Sequence, residues 1–129
     1  MSEFSDALSV SSSALKAQSQ RLRHVSENIA NADTPGYRRK LVSFETVKAP
    51  ESAGGVEASR VHLDRTELAE IFDPAHPMAD DSGHYQGSNV NLVIELADAR
   101  EAQRSYEANL KMFDQARQMS SSLLDLLRR

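Results

Sequence analysis

The chain has 129 residues, a formal charge of −4, 40% hydrophobic and 26% charged residues, and neither cysteine nor tryptophan. That is room for one ordinary domain, and it excludes disulfides, thiolate metal sites, cysteine nucleophiles and a large aromatic core. The acidic balance also argues against a chain built to grip nucleic acid. The longest uninterrupted apolar run is Leu92-Val93-Ile94, far short of the roughly 20 residues of a spanning helix, so no membrane insertion is expected. A cleavable secretory signal needs an apolar stretch of about 7 to 15 residues, and the first thirty positions hold none. They hold serines instead (Ser2, Ser5, Ser9, Ser11, Ser12 and Ser13), the only candidate address for export.

All five glycines and all four prolines lie between Pro35 and Gly87. Because these residues interrupt regular structure, the chain divides into two uninterrupted flanks, 1–34 and 88–129, around a broken middle, 35–87. The excess of acid sits in that middle.

In the first flank, Phe4, Leu8, Ser11, Leu15, Gln18, Leu22, Val25, Ile29 and Ala32 recur at alternating spacings of four and three. That stripe predicts a helix over about 4–32, roughly 45 Å long, with one face for burial against another helix. Thr34 precedes Pro35 and so disfavours helical geometry, and Pro35-Gly36 suits the central positions of a type II turn with Gly36 at positive φ. The middle predicts a small β unit. Leu41 to Val47 and Val56 to Leu63 are candidate strands, Ala49 to Gly55 is turn chemistry, and Leu41, Val42, Phe44 and Phe72 are its only core candidates. The segment 72–83 contains two X-Pro bonds and an Asp-Ser-Gly turn, which give an irregular path.

The second flank repeats the design, with Leu92, Leu96, Ala99, Gln103, Tyr106, Leu110 and Phe113, then a drift to Ala116, Met119, Leu123 and Leu127. It predicts a helix from about 90 to 127, with Ser88 or Asn89 as cap. The fold class is therefore mainly α: an antiparallel, coiled-coil-like pair of long N- and C-terminal helices with a small irregular β unit between them. A pair of helices alone buries little surface, so neighbouring subunits are expected to complete it. The expected assembly interface is Leu8, Leu15, Leu22, Val25, Ile29, Leu96, Tyr106, Leu110, Phe113, Leu123 and Leu127. The competing picture is a solitary helical hairpin with a β cap.

The segment Ser26 to Tyr37, with Asn28, Asn31, Thr34, Pro35, Gly36 and Tyr37, closely resembles the signature of the axial proteins of the bacterial flagellum. Ala14 to Gln18, Arg21-Leu22 and Arg38-Arg39-Lys40 fit the same pattern, and Asn89 to Leu127 resembles the matching C-terminal helix. The short length and the segment Phe72 to Asp80, with Asp73, Pro74, His76, Pro77 and Asp80, resemble the proximal rod members of that family. The resemblance implies a structural subunit of the drive shaft, with no catalytic, cofactor or metal site, exported by the flagellar type III apparatus and built into the periplasmic rod. The partners it implies are copies of the chain, other rod subunits of the FlgB, FlgF, FlgG and FliE types, and the export apparatus. A sister proximal rod protein of the FlgB type shares the head motif, so the middle segment has to separate the two.

Each of these residues also has a plainer reading. Asn28 and Asn31 either bond across subunits or terminate a helix. Pro35-Gly36 is a geometric device, and Arg38-Arg39-Lys40 is a solvated face. His76, Asp80, Asp81 and His84 supply ligand types for a hydrolytic metal, yet they lack the helical i, i+4 histidine pair of the familiar zinc motif. A soluble binding module or secretion chaperone is a third class, whose helices would be folded in the dilute monomer.

Overall fold

A computed structural model of the protein describes residues 2–48 and 54–128. The helices are α1 (Ser2–Ala30) and α2 (Leu92–Leu127), with six short strands between them: β1 (Lys40–Leu41), β2 (Phe44–Thr46), β3 (Val56–Ala58), β4 (His62–Leu63), β5 (Glu70–Phe72) and β6 (His84–Gln86). At about 1.5 Å per residue the helices are roughly 43 and 54 Å long. The mainly helical architecture with a small β region is as expected, and the helix ends differ from expectation by about two residues.

The strands form three separate two-stranded antiparallel ribbons, β1–β4, β2–β3 and β5–β6. The two strands expected at 41–47 and 56–63 are thus each broken in two. Ser43 and Ser59 sit at the break, where the Ser59 hydroxyl accepts from Ser43 N–H at 3.0 Å. Of the expected turn Ala49 to Gly55, residues 49–53 lie outside the described residues. The expected core of the middle unit is not formed: Leu41, Phe44 and Phe72 are all exposed, Phe72 to 66%. Buried positions among the described residues of that unit are Gly83 and Gly87. Apart from β3 and β1, which lie against α1, the thin ribbons have no second layer to cover them, so backbone and polar contacts hold much of the unit in place of apolar burial.

The helices pack along their length, and α1 also carries β3. Being covered on two sides, α1 keeps Leu8, Leu15, Leu22 and Ile29 half-buried and Val25 buried. Among the helices and strands described, α2 packs mainly on α1. Its inward row is Glu95, Ala102, Tyr106, Asn109 and Phe113, while Leu92, Leu96, Leu110, Leu123 and Leu127 are exposed. The seam therefore lies beside the expected leucine row. Ala17 and Ala102, 1% and 0% exposed, let the backbones approach closely, and a leucine there would hold them apart. Ala17, Val25 and Ala102 are the fully buried apolar residues among those described, a small core for a chain of this length.

The cap of α2 is Asn91, not Ser88 or Asn89. Its side chain accepts from Val93 N–H at 3.0 Å, satisfying one orphan donor of the first turn. Ser88 and Asn89 are drawn elsewhere: the Ser88 hydroxyl donates to Ala32 O, and Asn89 enters the polar cluster described next.

Candidate functional site

Where α1 ends, the chain turns back on itself. Tyr37 N–H donates to Thr34 O at 3.2 Å, closing the Thr34-Pro35-Gly36-Tyr37 turn. Gly36 has φ 75°, the left-handed conformation that the third position of a type II turn requires. Its N–H meets Gln86 O at 3.2 Å and Gly87 O at 3.0 Å, so the turn clasps the base of the β5–β6 ribbon. Asn31 stays within the chain as well, donating to Glu27 O at 2.8 Å and accepting from the Thr34 hydroxyl at 3.2 Å.

Asn28, 1% exposed, is the hub beneath that turn. Its Oδ1 accepts from the Tyr37 hydroxyl at 2.9 Å and from Lys40 N–H at 2.8 Å. Its Nδ2 donates to Lys40 O at 3.0 Å and to Glu95 Oε2 at 3.3 Å. One amide side chain thus mimics a strand partner for Lys40 and joins both helices to the outgoing chain. Burial pushes the Tyr37 phenol up from its ordinary value.

Glu95, 0% exposed, receives Arg39 Nε at 2.7 Å. The same guanidinium lies 3.5 Å from Asp98 and 3.6 Å from Asp64, and Arg21 of α1 reaches Asp98 at 3.5 Å and Glu101 at 3.6 Å. Asn89 accepts from Arg39 N–H at 2.7 Å and donates to Asp64 O at 2.9 Å. Arg38 donates to the carbonyls of Asp64 and Thr66 at 3.1 and 3.0 Å. Arg38-Arg39-Lys40 is therefore not the solvated face its charge suggested. The three cations hold the helix hairpin and the β unit together.

Lys40 Nζ closes on Glu27 at 2.6 Å. The hydrogen bond from Lys40 holds the Glu27 carboxyl below its usual value, and the same bond holds the Lys40 ammonium above its own. The Glu27 contribution to stability is thus present above the unfolded carboxylate pKa and lost as pH falls through the lower folded one. For Lys40 it is present below the unfolded lysine pKa and lost as pH rises through the higher folded one. In a carboxyl NMR titration Glu27 is expected to have a midpoint below that of an ordinary glutamate, and Lys40→Met should move that midpoint upward. An unmoved midpoint in the variant would assign the shift to another group.

The five middle-segment residues form a self-capped loop. Asp73 Oδ1 accepts from Ala75 N–H at 3.2 Å and His76 Nδ1 from Met78 N–H at 3.1 Å. Asp80 Oδ1 accepts from Ser82 N–H, the Ser82 hydroxyl and His84 N–H at 2.9, 2.6 and 3.0 Å. The His76 ring stacks on Tyr85 with centroids 3.9 Å apart, and Pro74 and Pro77 fix the two bends of the exposed loop. Asp80 is occupied by local donors, and among the described residues no three His, Asp or Glu side chains converge as metal ligands would.

Residues 8–38 match the family model described as flagella basal body rod protein, and residues 81–126 that of the flagellar basal body rod FlgEFG protein C-terminal region. The flagellar basal-body rod protein FlgC of Agrobacterium fabrum is 45% identical over 138 residues, spanning 99% of this chain and 98% of that relative. The chain belongs to the flagellar basal-body rod protein family. FlgC of Escherichia coli O157:H7 is 36% identical over 124 residues, covering 91% and 92% of the two chains. FlgC of Bacillus subtilis is 32% identical over 143 residues, covering 93% and 95%. The two stretches matched by the rod-family models coincide with α1 and its turn, and with β6 and α2. Those are the parts joined by Asn28, Glu95 and Arg39.

The sequence points to Asn28 and the turn, and to Asn89 as a helix cap only, but not to Glu95 or Asp64. A signal for Glu95 was present: it is one carboxylate inside the otherwise apolar run Leu92-Val93-Ile94-Glu95-Leu96. A charge in such a run is costly to bury without a partner.

Proposed function

We propose that the chain is a structural, non-enzymatic subunit of the flagellar basal-body rod, polymerising through its terminal helices to carry torque across the periplasm. The observation that carries this reading is the exposed apolar row of α2. Leu92, Leu96 and Leu110 on one side of the helix are 49, 55 and 41% exposed, and Leu123 and Leu127 near its end are 39 and 75% exposed, more open apolar surface than a solitary soluble helix is expected to carry. In the assembly unit, residues 1–34 and 88–129, the polar clasp fixes the register of the two helices. The leucine row is then left for neighbours. Rod subunits of the FlgB, FlgF, FlgG and FliE types are the natural neighbours of a FlgC-like chain. Export through the flagellar type III apparatus belongs to the same reading.

The test is Leu96→Asp combined with Leu110→Asp. Both side chains are exposed in the free subunit, so its stability should change by no more than about 0.5 kcal/mol per site. In the rod each aspartate would be buried without a partner, a cost of several kcal/mol per copy. A folded, secreted subunit and a non-motile cell are expected. Normal swarming by the double variant would remove this row from the assembly face.

A further inference from the structure

The face of α2 opposite its seam carries a second pattern. Val93, Ala97, Arg100, Arg104, Glu107 and Lys111 follow the four-three rhythm on the side turned away from α1, and all are exposed, three cations to one carboxylate. Among the described residues Arg100, Arg104 and Lys111 make no ion pair, whereas Arg21, Arg23, Arg39, Lys40 and Arg117 all do. Leu96 and Leu110 border this basic row, giving an apolar edge beside a line of free cations.

The β5–β6 ribbon has the complementary composition. Residues 66–99 contain no Lys or Arg, and Glu67, Glu70, Asp73, Asp80 and Asp81 are all exposed on or beside the ribbon. Among the described residues none of the five is ion-paired to a cation. Phe72 and Met78 lie among them, 66 and 62% exposed. The ribbon's main packing partner is itself, strand against strand, and neither strand packs extensively on a helix. A lone two-stranded ribbon is marginal in water, so this one gains most from an external support.

We propose that the acidic, Phe72- and Met78-bearing ribbon of one subunit docks on the outward Arg100–Arg104–Lys111 row of α2 in a second copy of this chain. The apolar pair meets the Leu96 and Leu110 edge while the carboxylates meet the free cations. The hydrogen bonds from Ser82 and His84 keep Asp80 below the usual carboxylate range, so its charge is present at neutral pH. Since the two surfaces lie on different parts of the same chain, the contact is heterologous. Repeated from copy to copy, it generates a ring or an open helical array. The inference rests on the rod reading and adds to it the surface and the partner.

The chain contains no cysteine, so an engineered pair reports on the contact without background. Asp81→Cys with Arg104→Cys, expressed in place of the natural chain, should yield a ladder of disulfide-linked oligomers from oxidised basal bodies. Either single variant should yield none. Finding the double variant in basal bodies without oligomers, or linked only to a different protein, overturns the contact and leaves the rod reading intact. Absence of the natural chain from basal bodies would instead overturn the rod reading. A charge exchange guards against local misfolding by the cysteine variants. Arg100→Glu with Arg104→Glu should slow swarming roughly tenfold, since opposed like charges penalise a contact by several kcal/mol. Adding Glu70→Arg and Asp81→Arg to the same chain should restore it to within about twofold, as complementary charges are re-established. Failure of the second pair to restore swarming refutes the proposal.

Discussion

Arg39→Ala is expected to cost about 3–5 kcal/mol of subunit stability, the range for removing one partner of a buried pair. Glu95 has no exposed surface, and its closest cation is Arg39 Nε at 2.7 Å. With the guanidinium gone, only the Asn28 amide at 3.3 Å remains to compensate the carboxylate. At an m-value of about 2 kcal/mol/M, the urea midpoint should fall by roughly 1.5–2.5 M. Glu95→Gln should be milder, because a neutral amide is cheaper to bury and still accepts from Arg39. The informative comparison is Arg39→Met with Glu95→Leu. Removing both charges together should recover most of the loss, since apolar replacement of a buried pair is often neutral or stabilising. A loss under about 1 kcal/mol in Arg39→Ala would mean the pair behaves like a surface salt bridge. The seam would then owe its register to something else.

Why the clasp escaped sequence inspection follows from how it is made. The head stripe was legible because Leu8, Leu15, Leu22 and Ile29 repeat every seven residues, and α1 is covered on two sides, which makes every apolar position of the stripe half-buried or better. In α2 the same inspection found the leucines but not the seam. Periodicity reports where apolar residues align; it does not say which row a helix turns toward its partner when two rows compete. Here the decision lies with Ala102, whose small side chain allows close approach, and with Glu95, whose partner Arg39 is 56 positions away in the chain. No local pattern encodes a contact of that span. The same limit applies to Asn89, which looks like a helix cap and instead ties Arg39 to Asp64.

The middle unit shows the opposite failure. Leu41, Val42, Phe44 and Phe72 invite a small core because apolar residues in alternation normally have something to cover. The ribbons that form are two or three residues long and stand apart, so they share no common inner face, and only β3 lies broadly on α1. What orders them is backbone chemistry: Asn28 pairing with Lys40, Gly36 N–H with the carbonyls of Gln86 and Gly87, and Asp80 with three donors of its own loop. Asn, Gly and Asp were legible as turn formers, and the resemblance of Ser26 to Tyr37 to the flagellar axial signature located the most connected of these. Residues 8–38 and 81–126, which match rod-family models, hold Asn28, the Gly36 turn, Asn89 and Glu95.

The turn at Gly36 separates geometry from contact. An added Cβ would meet nothing within 4 Å, so bulk alone is tolerated there. The backbone is the constraint: φ is 75°, where a β-branched residue is strongly disfavoured. Gly36→Val is expected to cost about 1–3 kcal/mol, the range for a strained backbone conformation. Relieving that strain would swing the N–H away from Gln86 and Gly87 and take the base of the β5–β6 ribbon with it. Tyr37 would move as well and leave Asn28 Oδ1 with one donor fewer inside the clasp. Each copy in a rod would then present its ribbon at the wrong angle, so a secreted subunit and a non-motile cell are expected. Gly36→Asn enters the left-handed region at much lower cost, keeps the N–H in place, and should retain most swarming. Complementation of a null strain by the two variants checks the difference. Equal defects would mean that a neighbouring subunit touches position 36, because the subunit itself leaves that space open.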